Sequence, residues 1–234
     1  MINQKTIGII GGMGPLATVE LFRKLVTLTR ARTDREHIHI LIDNFPQVPD
    51  RTASILSDGE SPVPYILGAA ERLIQGGAEL LLLPCNTSHY YYDEIAAKLS
   101  VPVLNMLKLT AAHLRSEGVK TVGLLATDGT IGTRVFEKAL SEAGIQTLLP
   151  DAQDQKTVMD TIYLQVKAGK PTDRQALERV IDALRARGAE RTVLGCTELP
   201  LVFGETLPTD LVDPAHLLAI EAIWQAGYEV ALAE

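Results

Sequence analysis

Short runs of consecutive apolar residues alternate along the chain with longer stretches whose apolar positions recur at helical spacing. Thr6–Ile10 is a continuous apolar run that stops at Gly11-Gly12, the pattern of a strand buried on both faces. Pro15 suits a first helical turn, and Leu16, Val19, Phe22 and Val26 follow at helical intervals. The same reading predicts strands at Ile38–Ile42, Glu79–Pro84, Val101–Leu104, Thr121–Ala126, Gln146–Leu149, Arg191–Leu194 and Leu211–Val212. It predicts helices over Tyr65–Gln75, after His89 as far as Leu99, and over Leu107–Glu117, Thr133–Ala143, Asp154–Ala168 and Asp173–Arg187, with a last one that Asp213-Pro214 caps. Phe45–Pro64, rich in Pro, Asp and Ser, reads as one long loop, and long loops in compact domains are often functional.

Strands alternating with helices predict a parallel α/β architecture with helices on both sheet faces. An internal echo divides it. Lys5–Ile10 resembles Lys120–Leu125, 115 residues later, and the apolar strand before Cys85 resembles the one before Cys196, 111 residues later. Two similar halves imply two pseudo-symmetric lobes, each a parallel sheet flanked by helices, with a cleft between. We expect residues 1–104 with 211–234 in the first lobe and 105–210 in the second. Ligands of open α/β sheets sit beyond the carboxyl ends of the strands, so each cysteine is expected to reach the cleft from its own lobe.

Composition narrows the function. The chain has 234 residues, 46% of them hydrophobic and 22% charged, as in a globular protein with a real core. A net charge of −7 argues against a general nucleic-acid binder, yet leaves room for a locally basic pocket. Apolar runs are strand-sized, well below the ~20 residues that span a bilayer, and the N-terminus carries no basic-then-apolar leader pattern. The expectation is a cytoplasmic protein. Two isolated cysteines make neither a disulfide framework nor a zinc motif.

A free cysteine is ordinarily a small buried apolar residue. Here both sit just past a buried strand, in polar turns leading toward a helical segment whose N-terminus lowers a thiol pKa. Backbone N–H groups of Asn86–Ser88 and Thr197–Glu198 are placed to bind a carboxylate. Two thiols facing each other across a cleft suit inversion at carbon: a thiolate takes a proton from one face while a thiol returns one to the other.

The motifs Gly11-Gly12-Met13-Gly14-Pro15, Pro49-Asp50-Arg51-Thr52, Pro84-Cys85-Asn86-Thr87-Ser88-His89, Val166-Lys167-Ala168-Gly169 and Gly195-Cys196-Thr197-Glu198-Leu199-Pro200 resemble those of the aspartate/glutamate racemase superfamily over essentially the whole chain. The resemblance is greatest to cofactor-independent aspartate racemases. It implies a two-lobed enzyme without pyridoxal phosphate or metal, usually a homodimer, acting on a small amino acid. Cys85 and Cys196 match the two catalytic cysteines. Arg51 and Lys167 match the basic pair that holds the substrate's side-chain carboxylate, and a guanidinium fork suits that task. Met13, Asn86, Thr87 and Thr197 match pocket-lining positions that hold the α-carboxylate and α-amino groups. Thr127 is a weaker candidate, in the second-lobe turn that mirrors Gly11–Met13. Asp50 and Glu198, beside site residues, are candidates to orient or deprotonate a thiol, or are ordinary loop carboxylates.

Rival readings remain at this level. Within the superfamily they are a glutamate or broad-specificity racemase, a maleate isomerase, a hydantoin racemase or a decarboxylase; the last needs only one cysteine. Outside it, Gly12-Met13-Gly14-Pro15-Leu16-Ala17 after a strand, with Asp43 ending the next strand, fits a nicotinamide dinucleotide fingerprint. A binding protein that keeps the fold without the chemistry is a further possibility. His37 and His39, two apart on one expected strand, lack an evident third metal ligand. His89 is placed to tune the first cysteine, and Tyr90-Tyr91-Tyr92 to line the cleft or a subunit contact.

Overall fold

A computed structural model describes residues 4–204 and 206–231. The outer ends of the expected first lobe, 1–3 and 232–234, and residue 205 of the second lie outside the described residues. The first sheet is built from β1 (Ile7–Gly11), β2 (Ile40–Asn44) and β3 (Leu80–Leu82), parallel and in the order β2-β1-β3. Between and after these strands come α1 (Pro15–Leu28), α2 (Arg51–Leu56), α3 (Val63–Gln75) and α4 (Tyr92–Lys98). The chain crosses to the second lobe through α5 (Met106–Ser116). There β4 (Thr121–Leu125) is followed by α6 (Asp128–Thr133), α7 (Val135–Glu142), β5 (Gln146–Leu148), α8 (Ala152–Asp160), α9 (Arg174–Ala186), β6 (Arg191–Leu194) and β7 (Leu211–Val212). This sheet is also parallel, ordered β5-β4-β6-β7, and α10 (Pro214–Gln225) closes the chain.

The internal echo is visible as topology. In each lobe the first strand lies between the second and the third. Gly8 of β1 and Gly123 of β4 are equivalent, and each lets a helix lie close on its sheet. A Cβ on Gly8 would meet Leu73 of α3 at 3.2 Å, and one on Gly123 would meet Leu184 of α9 at 2.9 Å. β1 and β3 are buried along their whole length, as runs covered on both faces must be. Ile7, Ile9, Leu80 and Leu82 pack with Leu21 and Leu25 of α1 and Leu218 and Ile223 of α10. Ile10, Leu81 and Leu83 pack on the opposite face with Ile66 and Leu73 of α3. In the second lobe Leu125 and Leu194 meet Leu177, Val180 and Leu184 of α9, and Val122, Leu124 and Val193 meet Phe136 and Leu140 of α7.

Several boundaries differ from expectation, each for a local reason. The long loop contains α2, which Asp50 caps by accepting the Ala53 N–H at 2.8 Å. Val101–Leu104 forms only a bridge, Leu81 with Val103, because Pro102 offers no N–H to a ladder. His37 and His39 precede β2 instead of lying in it, and His39 Nδ1 is 3.2 Å from Thr6 Oγ1. The expected boundary at residue 211 falls at the start of β7. β7 extends the second sheet, and the return to the first core begins at Asp213, the cap of α10. No helix among the described residues is long and apolar enough to cross a membrane.

Candidate active site

Each cysteine stands just past the carboxyl end of a buried strand. Cys85 follows β3, and Cys196 follows β6. A narrow pocket with a free volume of only about 10 Å3 lies between the lobes. Its lining brings together Cys85, Cys196, Met13, Asp50, Arg51, Asn86, Thr87, Thr127, Lys167, Thr197 and Glu198. Thr52 and Tyr163 complete it. The cysteines, the two cations and the other residues matched or placed beside them in the sequence are therefore in one place, while His89 and Tyr90–Tyr92 are outside the lining. A larger groove of about 710 Å3 opens beside α1, α10 and β7. It contains neither cysteine, and its Lys24 is held by Glu20 at 2.6 Å and Asp213 at 3.2 Å. Both cysteines line the smaller pocket.

The Gly11–Pro15 turn forms one wall. Gly12 has φ +95°, and a Cβ there would lie 2.3 Å from the Phe45 carbonyl carbon, so only glycine fits. Thr18 Oγ1 accepts the Gly12 N–H at 2.9 Å, and Met13 Sδ lies 3.5 Å from Ser88 Oγ. Gly14 faces Glu198 of the other lobe, whose Oε1 would be 3.1 Å from a Cβ. The turn that resembles a dinucleotide fingerprint is thus part of the cysteine pocket. Asp43, at the ribose-acid position of that fingerprint, is instead ion-paired to Arg72 at 2.7 Å.

Hydrogen bonds join the lobes at the pocket. Thr87 Oγ1 lies 3.0 Å from Thr127 Oγ1 and 2.9 Å from Thr130 Oγ1, all buried. Thr197 Oγ1 is within 3.4 Å of the Pro84 carbonyl, next to Cys85, and 3.3 Å from Glu198 Oε2. Tyr163, in the second lobe, reaches Asp50 Oδ2 and Thr52 Oγ1, each at 3.2 Å.

The two thiols sit in different fields. Cys196 Sγ donates to Glu198 Oε2 at 3.0 Å, and its pKa is pushed well up by burial first and by the Glu198 charge second. Lys167 Nζ lies 3.6 Å from Glu198 Oε1. Burial works to lower the Lys167 pKa, but the Glu198 and Cys196 charges outweigh it, so it is raised and the ammonium persists. Arg51 is buried, with Nη1 donating to the Val48 and Pro49 carbonyls at 3.2 and 3.0 Å. Its pKa is raised too, because Cys85 and Asp50 outweigh its desolvation. Two permanent cations thus lie among the thiols, one near each. A buried polar atom ordinarily finds a partner, yet Arg51 Nε and both polar atoms of the Asn86 amide have none within the protein. They present donors and an acceptor to whatever the pocket holds.

His89 lies behind Cys85. Its Nδ1 is 2.9 Å from the Cys85 carbonyl, and its Nε2 accepts the Met106 N–H at 3.0 Å. Burial lowers its pKa to about 4, which fixes a neutral ring with the proton on Nδ1. It supports the cysteine turn instead of supplying charge. Tyr92 stacks on it at 5.8 Å and donates to the Val103 carbonyl, Tyr91 meets Ser54 at 2.8 Å, and Tyr90 is exposed. Sequence reasoning missed Thr52 and Tyr163. Thr52 follows Arg51 directly, and Tyr163 precedes Lys167 by four residues, one helical turn, which was the available signal.

The pocket thus gathers paired thiols at the ends of matching strands, with cations and unpaired hydrogen-bonding groups beside them. The chain belongs to the Asp/Glu/hydantoin racemase family, whose model matches residues 10–222. Among solved structures it is similar to the aspartate racemase of Picrophilus torridus, with 34% identity and a TM-score of 0.87, over 97% of this chain and 96% of that one. An aspartate racemase homologue from Pyrococcus horikoshii is 26% identical with a TM-score of 0.77, over 95% and 99% of the two chains. The broad-specificity amino-acid racemase of Bacillus subtilis is 29% identical over 202 residues, 84% of this chain and 86% of that one. The protein is an isomerase of this family.

Proposed function

We propose that the enzyme interconverts L- and D-aspartate without a cofactor, by proton transfer between the α-carbon and two cysteines. The observation that carries the reading is the pair of cations, buried Arg51 and the more exposed Lys167, in the same pocket as Cys85 and Cys196. Arg51 with its free Nε offers a fork to the side-chain carboxylate, and Lys167 a second positive charge. The α-carboxylate is held by the backbone N–H groups of the Asn86–Thr87 and Thr197 turns and by the Asn86 amide. One cysteine, as thiolate, removes the α-proton. The carbanion is stabilised by those donors in a site that excludes water, and the other cysteine, as thiol, delivers a proton to the opposite face. Each turnover leaves the sulfur protonation states exchanged, which is the starting point for the reverse reaction.

A second reading, broader amino-acid specificity, is favoured by the likeness to the Bacillus subtilis enzyme. The two separate when purified protein is incubated with single L-amino acids, without cofactor, and the products are resolved by chiral chromatography. We expect D-aspartate to form fastest, with glutamate well behind and monocarboxylic amino acids inert. Comparable rates for amino acids lacking a second carboxylate would overturn the assignment of Arg51 and Lys167. The same reading includes a cytoplasmic homodimer, and light scattering at the 25.4 kDa of one chain would remove the dimer from it.

A further inference from the structure

We infer that Tyr163 is a positioning residue: bonded across the cleft to Asp50 and Thr52, it keeps α2 docked on the second lobe and so sets the place of Arg51. The inference rests on the reading of Arg51 as the side-chain carboxylate ligand. The helix α2 follows β2 of the first lobe, but it packs on α6 of the second. The contact is made where α6 carries glycines. A Cβ on Gly129 would lie 2.9 Å from Thr52 Oγ1 and 3.0 Å from its Cα, and one on Gly132 would lie 3.2 Å from Leu56. Any side chain at 129 would push α2 away.

Tyr163 locks that contact at the end of α2 that matters. Its hydroxyl is 3.2 Å from Asp50 Oδ2 and 3.2 Å from Thr52 Oγ1, the residues on either side of Arg51. A phenol has one proton, and Asp50 Oδ2 and Thr52 Oγ1 are both placed to accept it, the carboxylate being the stronger acceptor. Asp50 uses its other oxygen to cap α2. The ring also lies 5.0 Å from Lys167 Nζ, so one side chain touches Lys167 directly and Arg51 through both its neighbours. The backbone is shaped for this. Thr161–Val166 is a π-helical turn in which the Lys167 N–H bonds the Ile162 carbonyl at 3.0 Å. Ile162 and Val166 then enter the second core while Tyr163 and Lys167 line the pocket.

Past α2, Ser57–Ser61 are all exposed, and the Ser57 and Gly59 N–H groups bond back to the Ala53 carbonyl of α2 itself instead of to the second lobe. Weakening the lock lets α2 lift and uncover Cys85 and Cys196, residues now only 5% and 7% exposed. Substrate bound across Arg51 and the second lobe draws α2 back. Loss of the lock accordingly weakens apparent affinity in proportion to the docked fraction and leaves the saturated rate nearly intact.

The test uses the whole protein and the variants Tyr163→Phe and Gly129→Ala, each checked for folding by circular dichroism. Iodoacetamide labelling of Cys85 and Cys196, followed by mass spectrometry, reads docking without reference to activity. We expect both thiols to label about tenfold faster in either variant, as loss of a charge-assisted hydrogen bond implies. With aspartate, KM should rise about tenfold while kcat changes less than about threefold. A folded Tyr163→Phe protein with labelling rates and KM within about twofold of the parent overturns the inference. If Gly129→Ala does not fold, Tyr163→Phe alone decides. Faster labelling in Tyr163→Phe, in an enzyme whose parent does not turn over aspartate, supports the docking role and removes the substrate reading instead.

Discussion

His89 should make the fold acid-sensitive between two definite pH values. The ring is buried and bonded at both nitrogens, to the Cys85 carbonyl and to the Met106 N–H at the start of α5. Protonation would turn Nε2 from acceptor to donor against another donor. The folded protein holds the group at a pKa of about 4, below its ordinary 6.5. Between those values the unfolded chain binds the proton and the folded one does not, so stability falls as pH drops from about 6.5 and levels off below about 4. The displacement corresponds to roughly 3 kcal/mol at 1.36 kcal/mol per pKa unit, a sizeable share of a typical 5–15 kcal/mol total. The perturbation is His89→Gln, which keeps an amide able to accept from Met106 and does not titrate. Urea unfolding at pH 7.5 and at pH 4 measures the difference. The parent should lose about 3 kcal/mol more than the variant over that interval, while the variant is the less stable of the two at pH 7.5. Equal pH dependence in both proteins would refute a buried neutral imidazole at this position.

Three further outcomes follow from the pocket. Glu198→Gln removes a charge that disfavours the Cys196 thiolate, so a small thiol reagent should modify Cys196 at lower pH than in the parent; an unchanged or upward-moved profile contradicts the pairing. Arg51→Met removes a charge-assisted carboxylate ligand and should lower kcat/KM for aspartate about a hundredfold, measured by coupled or chiral assay, with less than tenfold counting against it. Gly12→Ala places a Cβ against the Phe45 backbone at a positive φ, and urea unfolding should show a loss of about 3 kcal/mol or more; a loss under about 1 kcal/mol would mean the turn relaxes freely.

Much of the site was legible because each cysteine is announced by a long apolar strand and a polar turn, and because the arrangement occurs twice. Strand order in the two sheets repeats that echo, from Gly8 and Gly123 outward. What escaped the sequence depends on contacts between distant segments. The helix α2 is short, and its partner is the glycine face of α6, about 80 residues away, so no local apolar period marks it. The role of Tyr163 needs the extra residue of a π-turn, which leaves no compositional trace. The strand expected at Val101–Leu104 is reduced to a bridge by Pro102, a breaker visible in the sequence but outweighed there by the apolar run around it. In the sequence Thr87 and Thr127 are separate candidates 40 residues apart. Their hydroxyls are 3.0 Å apart, so they join the lobes as well as line the site.

Two cysteines acting on opposite faces of one carbon are the core of the account. L-Aspartate incubated with the enzyme in deuterated buffer, without added cofactor, tests this directly by proton NMR and chiral separation at low conversion. Deuterium should appear at the α-carbon of the D-aspartate formed and be nearly absent from the L-aspartate recovered, because the thiol that delivers the proton is not the one that removed it. Either single variant, Cys85→Ala or Cys196→Ala, should form no D-aspartate. Equal deuterium in recovered substrate and product, or full conversion by either variant, would contradict the two-cysteine mechanism.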